Sequence, residues 1–209
     1  MRPMVTFSEL GPAEFRPAIR EFVAVYKAAM NPPERMLAGR EAILDRHAAN
    51  PGFRALTAVV GAPQGTVLAG FTYGFHGAPG QWWHDVVADA LAVPSYAAGR
   101  SPGPSGGPPG ASGTAWLDDS FEVAELHVLP AYQGMGIGRE LLLRLASGRP
   151  ERTAVLSTAD AESRARRLYR GVGFTDLLTG FRFSGGEPPY AVMGAKLPLC
   201  SPPGAKPSG

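Results

Sequence analysis

The chain has little of what would mark a secreted, membrane-spanning or nucleic-acid-binding protein. Its 209 residues include one cysteine, Cys200, which excludes an internal disulfide framework and any CxxC zinc or redox pair. Lysine occurs only at Lys27, Lys196 and Lys206, so arginine carries most of the 20 basic charges, and these nearly match the 18 acidic ones. A net charge of +2 is too even for nucleic acid or an anionic membrane to be the main partner. No run reaches the roughly 18 apolar residues of a membrane span. The start, Met1 to Phe15, carries Glu9 and Glu14 and lacks the continuous apolar stretch of a signal peptide. A cytoplasmic protein is expected.

Glycine and proline, by contrast, are abundant at 27 and 21 residues, and they cluster. The stretch Arg100 to Thr114 is dominated by Gly, Pro and Ser and holds too little apolar surface to offset the entropy of ordering it. A flexible loop at about 97–114 is therefore expected inside one domain spanning 1–197, followed by a disordered tail over 198–209.

Patterning supplies the elements. Met4 to Leu10 suits a first strand, and Phe15, Ile19, Phe22, Val23 and Tyr26 recur at helical spacing within Ala13 to Met30. A second helix is expected over Pro33 to Ala49, with Pro33 in its first turn. Phe53 to Val60 and Val67 to Phe75 read as a hairpin, Gln81 to Val93 as a helix. Phe121 to Leu129 then reads as a strand, Gly136 to Ala146 as a helix, Ala154 to Thr158 as a strand and Glu162 to Gly171 as a helix. Strand, helix, strand implies a parallel pair with a crossover. Leu177 to Phe183 and Tyr190 to Leu197 read as two closing strands. The fold class is α/β (α+β), one domain around a central mixed sheet.

The chemistry concentrates in Glu125-Leu126-His127-Val128-Leu129-Pro130-Ala131-Tyr132-Gln133-Gly134-Met135-Gly136-Ile137-Gly138-Arg139, where a strand runs directly into a helix. Glycines at 134, 136 and 138 let successive backbone N–H groups converge on an anion at the helix N-terminus, and a pyrophosphate fits that description. A Walker loop is excluded because no Gly-Lys-Ser/Thr follows, and a dinucleotide fingerprint because Arg139 stands where its third glycine is needed.

Gln133, Gly136 and Gly138 resemble the Gln/Arg-x-x-Gly-x-Gly/Ala signature of the GCN5-related N-acetyltransferases. Ala165-Arg166-Arg167-Leu168-Tyr169-Arg170-Gly171-Val172-Gly173-Phe174 is similar to that family's Ala-x-x-Leu-Tyr-x-x-x-Gly-Phe segment. The resemblance implies a mostly antiparallel sheet flanked by helices, with a splayed parallel strand pair at the cofactor site. It implies acetyl-CoA as co-substrate, without a metal, and transfer to a primary amine by direct attack in a ternary complex. The acceptor is a small molecule, an antibiotic-like amine or a protein amine, and a homodimer is left open. Leu126 and Val128 would line the pantetheine arm, the Val128 N–H polarising the thioester carbonyl, while Gln133, Gly134, Met135, Gly136, Ile137, Gly138 and Arg139 would hold the pyrophosphate.

An amine nucleophile must lose a proton, and strand alternation puts Glu125 and His127 on one face beside Val128. Glu125 fits two roles, proton acceptor or recogniser of the substrate's charge. His127 fits a base or a structural histidine. Glu122 falls on the opposite face by the same alternation. Tyr169 resembles the family's acid for the departing thiolate, and also suits plain core packing. Arg139, Arg164, Arg166, Arg167 and Arg170 form a basic cluster that suits CoA phosphates or a solvated helix face. Of the adjacent Trp82 and Trp83, at least one is expected in the core. The rival to an enzyme is a non-catalytic acyl-CoA-binding regulatory module, for which Glu125 and Tyr169 would be dispensable.

Overall fold

The computed structural model describes residues 4–63, 65–93, 113–183 and 188–200. The expected loop at about 97–114 lies mostly outside them; its last two residues open a 3-10 turn, Gly113–Trp116. The expected tail lies outside them beyond Cys200. The strands are β1 (Val5–Leu10), β2 (Arg54–Ala62), β3 (Gly65–Gly77), β4 (Ser120–Val128), β5 (Thr153–Ala159), β6 (Thr175–Phe181) and β7 (Tyr190–Lys196). They form one seven-stranded sheet in the order β1-β2-β3-β4-β5-β7-β6. Pairing is antiparallel for β1–β2, β2–β3, β5–β7 and β6–β7, and parallel for β4–β5, where Glu122 stands opposite Val155. The mixed, mostly antiparallel α/β architecture matches the expectation.

The helices are α1 (Pro12–Phe15), α2 (Ile19–Met30), α3 (Arg40–His47), α4 (Trp82–Ala92), α5 (Ile137–Ala146) and α6 (Arg164–Arg170). Two expected helices are shorter or divided. The segment Ala13 to Met30 is interrupted by a 3-10 turn at Arg16–Ala18, because Pro17 has no N–H to continue the α-helical ladder. The segment from Pro33 forms only a 3-10 turn at Glu34–Met36 before Gly39, at φ +75°, which stands just before α3. The strand expected at Leu177 to Phe183 starts two residues earlier, at Thr175, and ends at Phe181.

Contacts group the chain into two compact units. One comprises residues up to His76 together with Val123–Ser147; the other comprises Gly77–Glu122 and the chain from Gly148 onward. In the first, Ile19, Phe22, Val25 and Tyr26 form the buried stripe of α2. Phe22 stacks on Phe15 at 4.8 Å and on Phe71 of β3 at 4.7 Å. Truncating any of these fully buried rings to alanine would cost about 3–5 kcal/mol. Helix α5 is fastened at its C-terminal end: Arg54 of β2 donates to Leu145 O at 3.2 Å and Ser147 O at 2.6 Å, and to Glu9 of β1 at 2.7 Å. Strands β3 and β4 approach closely at Gly70, where a Cβ would stand 2.7 Å from His127 O.

In the second unit, Val87, Ala90 and Leu91 of α4 pack with Val155, Leu177, Leu178, Phe181 and Val192. Trp83 donates from Nε1 to Ser157 Oγ at 3.1 Å, while Trp82 is 61% exposed beside the Phe183 ring. Arg166 is buried, not on a solvated face. Its guanidinium binds Asp160 and, at 2.8 Å, Asp176; Asp160 also accepts the Gly180 N–H at 2.6 Å. Ser163 caps α6 by accepting the Arg166 N–H at 3.1 Å, and Arg170 pairs with Glu162 at 2.8 Å and Asp176 at 3.1 Å. Two arginines of the basic cluster are thus bound to the protein's own carboxylates, lacing α6 to the ends of β5 and β6.

Candidate active site

The strand, turn and helix around residues 125–139 lie within the first unit. After β4, Pro130–Tyr132 make a 3-10 turn, and Gln133 reaches back to donate from Nε2 to Val128 O at 3.0 Å. Gly134 and Gly136 sit at φ +78° and +88°, in the left-handed region that a side chain disfavours. A Cβ at either would meet nothing within 4 Å. Glycine is required there by backbone conformation, and the space over the turn is open.

Gly136 is the N-cap of α5, and intrahelical bonding begins with Glu140 N–H to Gly136 O at 3.0 Å. The N–H groups of Ile137, Gly138 and Arg139 therefore have no acceptor inside the helix and point toward its N-terminal end, where the helix dipole favours an anion. Arg139 adds a buried Nη2 with no hydrogen-bond partner among the described residues. Open space, orphan amides and an unpaired guanidinium nitrogen fit a diphosphate. Ile137 is buried and Met135 half-buried, so the hydrophobic residues between the glycines anchor the turn.

Beside the turn, β4 carries a buried polar cluster. Glu125 is 7% exposed, and its backbone oxygen accepts the Thr72 hydroxyl at 2.7 Å. Its Oε1 accepts from Arg40 Nη2 at 2.6 Å and from Tyr73 OH at 3.2 Å. His127 Nε2 stands 3.0 Å from Oε2 but off the hydrogen-bond axis, so Oε2 has no aligned partner. The Arg40 guanidinium lies over the Tyr26 ring, 3.8 Å from its centre, and Tyr26 meets the His127 ring edge-on at 5.1 Å. Tyr73 OH also meets His47 Nδ1 at 3.0 Å.

Burial alone would raise the pKa of Glu125, but His127, Arg40 and the Tyr73 hydroxyl together hold it below its ordinary value. The carboxyl is an anion at neutral pH. Burial lowers His47, partly opposed by the Glu125 charge. Alternation along β4 pairs Glu125 with His127. Arg40 and Tyr73 stand 85 and 52 residues before Glu125, and His47 stands 26 before Tyr73, so none of the three has a local signature.

Two further groups belong to the second unit. Tyr169 is buried against Phe174, with ring centres 5.8 Å apart, and burial pushes its phenol up to about 12. Glu122 is 5% exposed, its Oε2 has no hydrogen-bond partner among the described residues, and burial pushes its carboxyl up to about 8. Glu122 is thus a neutral acid at pH 7, a state that alternation alone does not reveal.

Comparison with known proteins decides the family. The chain is 32% identical over 212 residues to the "GCN5-like protein acetyltransferase Rv2170" of Mycobacterium tuberculosis, an alignment covering 91% of this chain and 97% of that protein. The chain belongs to the GNAT acetyltransferase family. The model of the acetyltransferase (GNAT) domain matches residues 105–176 of this GNAT protein, spanning β4, the glycine turn, α5, β5 and α6. Among solved structures, a GNAT-family acetyltransferase of Streptococcus pneumoniae superposes with a TM-score of 0.53 at 14% identity, covering 93% of this chain and 100% of that one. Arabidopsis thaliana NAA60 in complex with a bisubstrate analogue gives 0.52 at 16%, covering 93% and 99%. These structures agree in fold. As a GNAT enzyme the protein is an acetyl-CoA-dependent N-acetyltransferase, which removes the non-catalytic module as a reading. No helix among the described residues is long and apolar enough to cross a membrane.

Proposed function

We propose that this GNAT enzyme acetylates a primary amine of a protein, by direct attack of the amine on acetyl-CoA bound at the glycine turn. The observation that carries the chemical part is the buried Glu125 anion against His127, one residue before Val128 and directly ahead of the turn. Similarity to the mycobacterial protein acetyltransferase along nearly its whole length supports the acceptor class.

In this reading the N–H groups of Ile137, Gly138 and Arg139, with the Arg139 side chain, hold the pyrophosphate. Gln133 keeps the turn closed onto Val128. Leu126 and Val128 line the pantetheine arm, and the Val128 N–H stabilises charge on the thioester oxygen. The depressed pKa of Glu125 makes it a poor proton acceptor near pH 7. Its role is to balance, from 3.0 Å, the positive charge that the imidazole takes up with the amine's proton. Tyr169 remains a neutral phenol across the physiological range, the state that the family resemblance requires of the acid for the departing thiolate. Cys200 takes no part, and the amine receives the acetyl group without an acyl-enzyme.

Titration calorimetry of acetyl-CoA into the wild type and Gly136→Glu tests the turn, since the new carboxylate would both fill and repel the pyrophosphate space. Thiol release would then be followed with a blocked lysine peptide, spermidine and an aminoglycoside as acceptors. Binding by the wild type alone, with transfer to the peptide, is expected. Transfer confined to spermidine or the aminoglycoside overturns the protein acceptor, and absence of binding overturns the site.

A further inference from the structure

Glu125 lies at the centre of side chains drawn from four elements: Tyr26 of α2, Arg40 and His47 of α3, Tyr73 of β3 and His127 of β4. The two carboxylate oxygens are unequal. Oε1 takes both the guanidinium at 2.6 Å and the phenol at 3.2 Å, whereas Oε2 takes no aligned hydrogen bond and has the His127 imidazole 3.0 Å away. A carboxylate bound at one oxygen by two donors on different elements has lost its freedom to rotate about its last bond. Arg40 is itself fixed, since its plane rests over Tyr26 at 3.8 Å. Its side chain is 20% exposed and that of Glu125 only 5%, so the pair is screened little by solvent.

We propose that Arg40 is a positioning residue for the acetyl transfer, clamping Oε1 of Glu125 together with Tyr73 so that Oε2 faces His127. The inference rests on the role of Glu125 and His127 proposed above and extends it to a residue that touches neither His127 by hydrogen bond nor any substrate by argument. After His127, Arg40 is the charge that keeps this carboxylate ionised at a depth where burial favours its neutral form. Tyr73 links the clamp to His47, whose ring nitrogen at 3.0 Å holds the phenol in place. The arrangement has the logic of a buried charge that orients a second group through a chain of contacts.

The test uses the full chain and the variants Arg40→Met, Arg40→Lys, Tyr73→Phe and Glu125→Gln. The Glu125 carboxyl is titrated by carbon NMR, assigned by its loss in Glu125→Gln, and acetyl transfer to the lysine peptide is measured in parallel. In Arg40→Met the Glu125 midpoint is expected to rise by at least about one pH unit. There kcat should fall on the order of tenfold or more with KM for acetyl-CoA unchanged. Arg40→Lys should recover part of both, and Tyr73→Phe should move both in the same direction by less. Tyr73→Phe removes a single hydroxyl and carries the test where Arg40→Met does not fold. An unmoved Glu125 midpoint in Arg40→Met and Tyr73→Phe overturns the clamp, whatever the kinetics. A moved midpoint with unchanged kcat overturns the positioning role. If Glu125→Gln retains full activity, the proposed role of Glu125 fails separately, while the NMR midpoints still report on the contact.

Discussion

Replacing Glu122 with glutamine should flatten part of the protein's stability profile between about pH 4.5 and about pH 8. Glu122 ionises at an ordinary value of 4.5 in the unfolded chain and at about 8 in the folded protein, because burial penalises its charge. Between those values the folded state keeps a proton that the unfolded chain has released, so stability falls as pH rises. Below 4.5 both states are protonated and above about 8 both are ionised, and the contribution is constant in each range. From about pH 6 to about pH 8.5 the loss from this single group amounts to about 2–3 kcal/mol. Glutamine occupies nearly the same volume and does not titrate. Urea unfolding at the two pH values and fixed ionic strength measures the effect, and any cost of the amide itself appears at both and cancels. The wild type should lose about 2–3 kcal/mol more than Glu122→Gln over the interval. Parallel losses would refute the reasoning and mean that Glu122 is ionised, or solvated, in the folded protein.

Three other outcomes are expected. Tyr169→Phe should lower kcat on the order of 100-fold while leaving acetyl-CoA affinity unchanged by calorimetry; an unchanged kcat would leave Tyr169 a core residue only. Arg166→Ala strips Asp160 and Asp176 of their buried cation and should cost about 3–5 kcal/mol in urea unfolding, so a loss under about 1 kcal/mol would contradict the buried network. Gly70→Ala would push a methyl to 2.7 Å from His127 O and should cost about 1–3 kcal/mol; stability equal to the wild type would show that β3 and β4 do not meet that closely.

What is legible in the chain follows from local chemistry. The glycines at 134, 136 and 138 announce a turn whose backbone N–H groups converge at a helix N-terminus, and the alternation of β4 joins Glu125 to His127 across two positions; the positive φ of Gly134 and Gly136 emerges only in the fold. The second tryptophan of the pair, Trp83, turns inward as the helix geometry requires of one of the two. The failures have equally local causes at α2 and α3: apolar periodicity runs through Pro17 and Gly39 without registering that one lacks an N–H and the other takes a positive φ. The remaining omissions are long-range. Nothing near Arg40 signals that it will meet a carboxylate 85 residues on, and a row of arginines on α6 reads as a wet surface until the carboxylates of Asp160 and Asp176 close around one of them. Polar clusters assembled from distant segments are visible only when the sheet has brought those segments side by side.

Arg54 gives α5 a fixed far end. Ten residues at about 1.5 Å each put the glycine turn some 15 Å from the carbonyls that Arg54 grips, and a rod pinned at one end presents the other at a set height above the strands. If the pyrophosphate sits at the turn as proposed, the amides there are aimed before it arrives, and the entropy of aiming them was spent when the chain folded. Affinity at the turn and stability at the opposite end of the helix then draw on the same contact, so that a weakened grip at Arg54 would be felt as slack in a ligand it never touches.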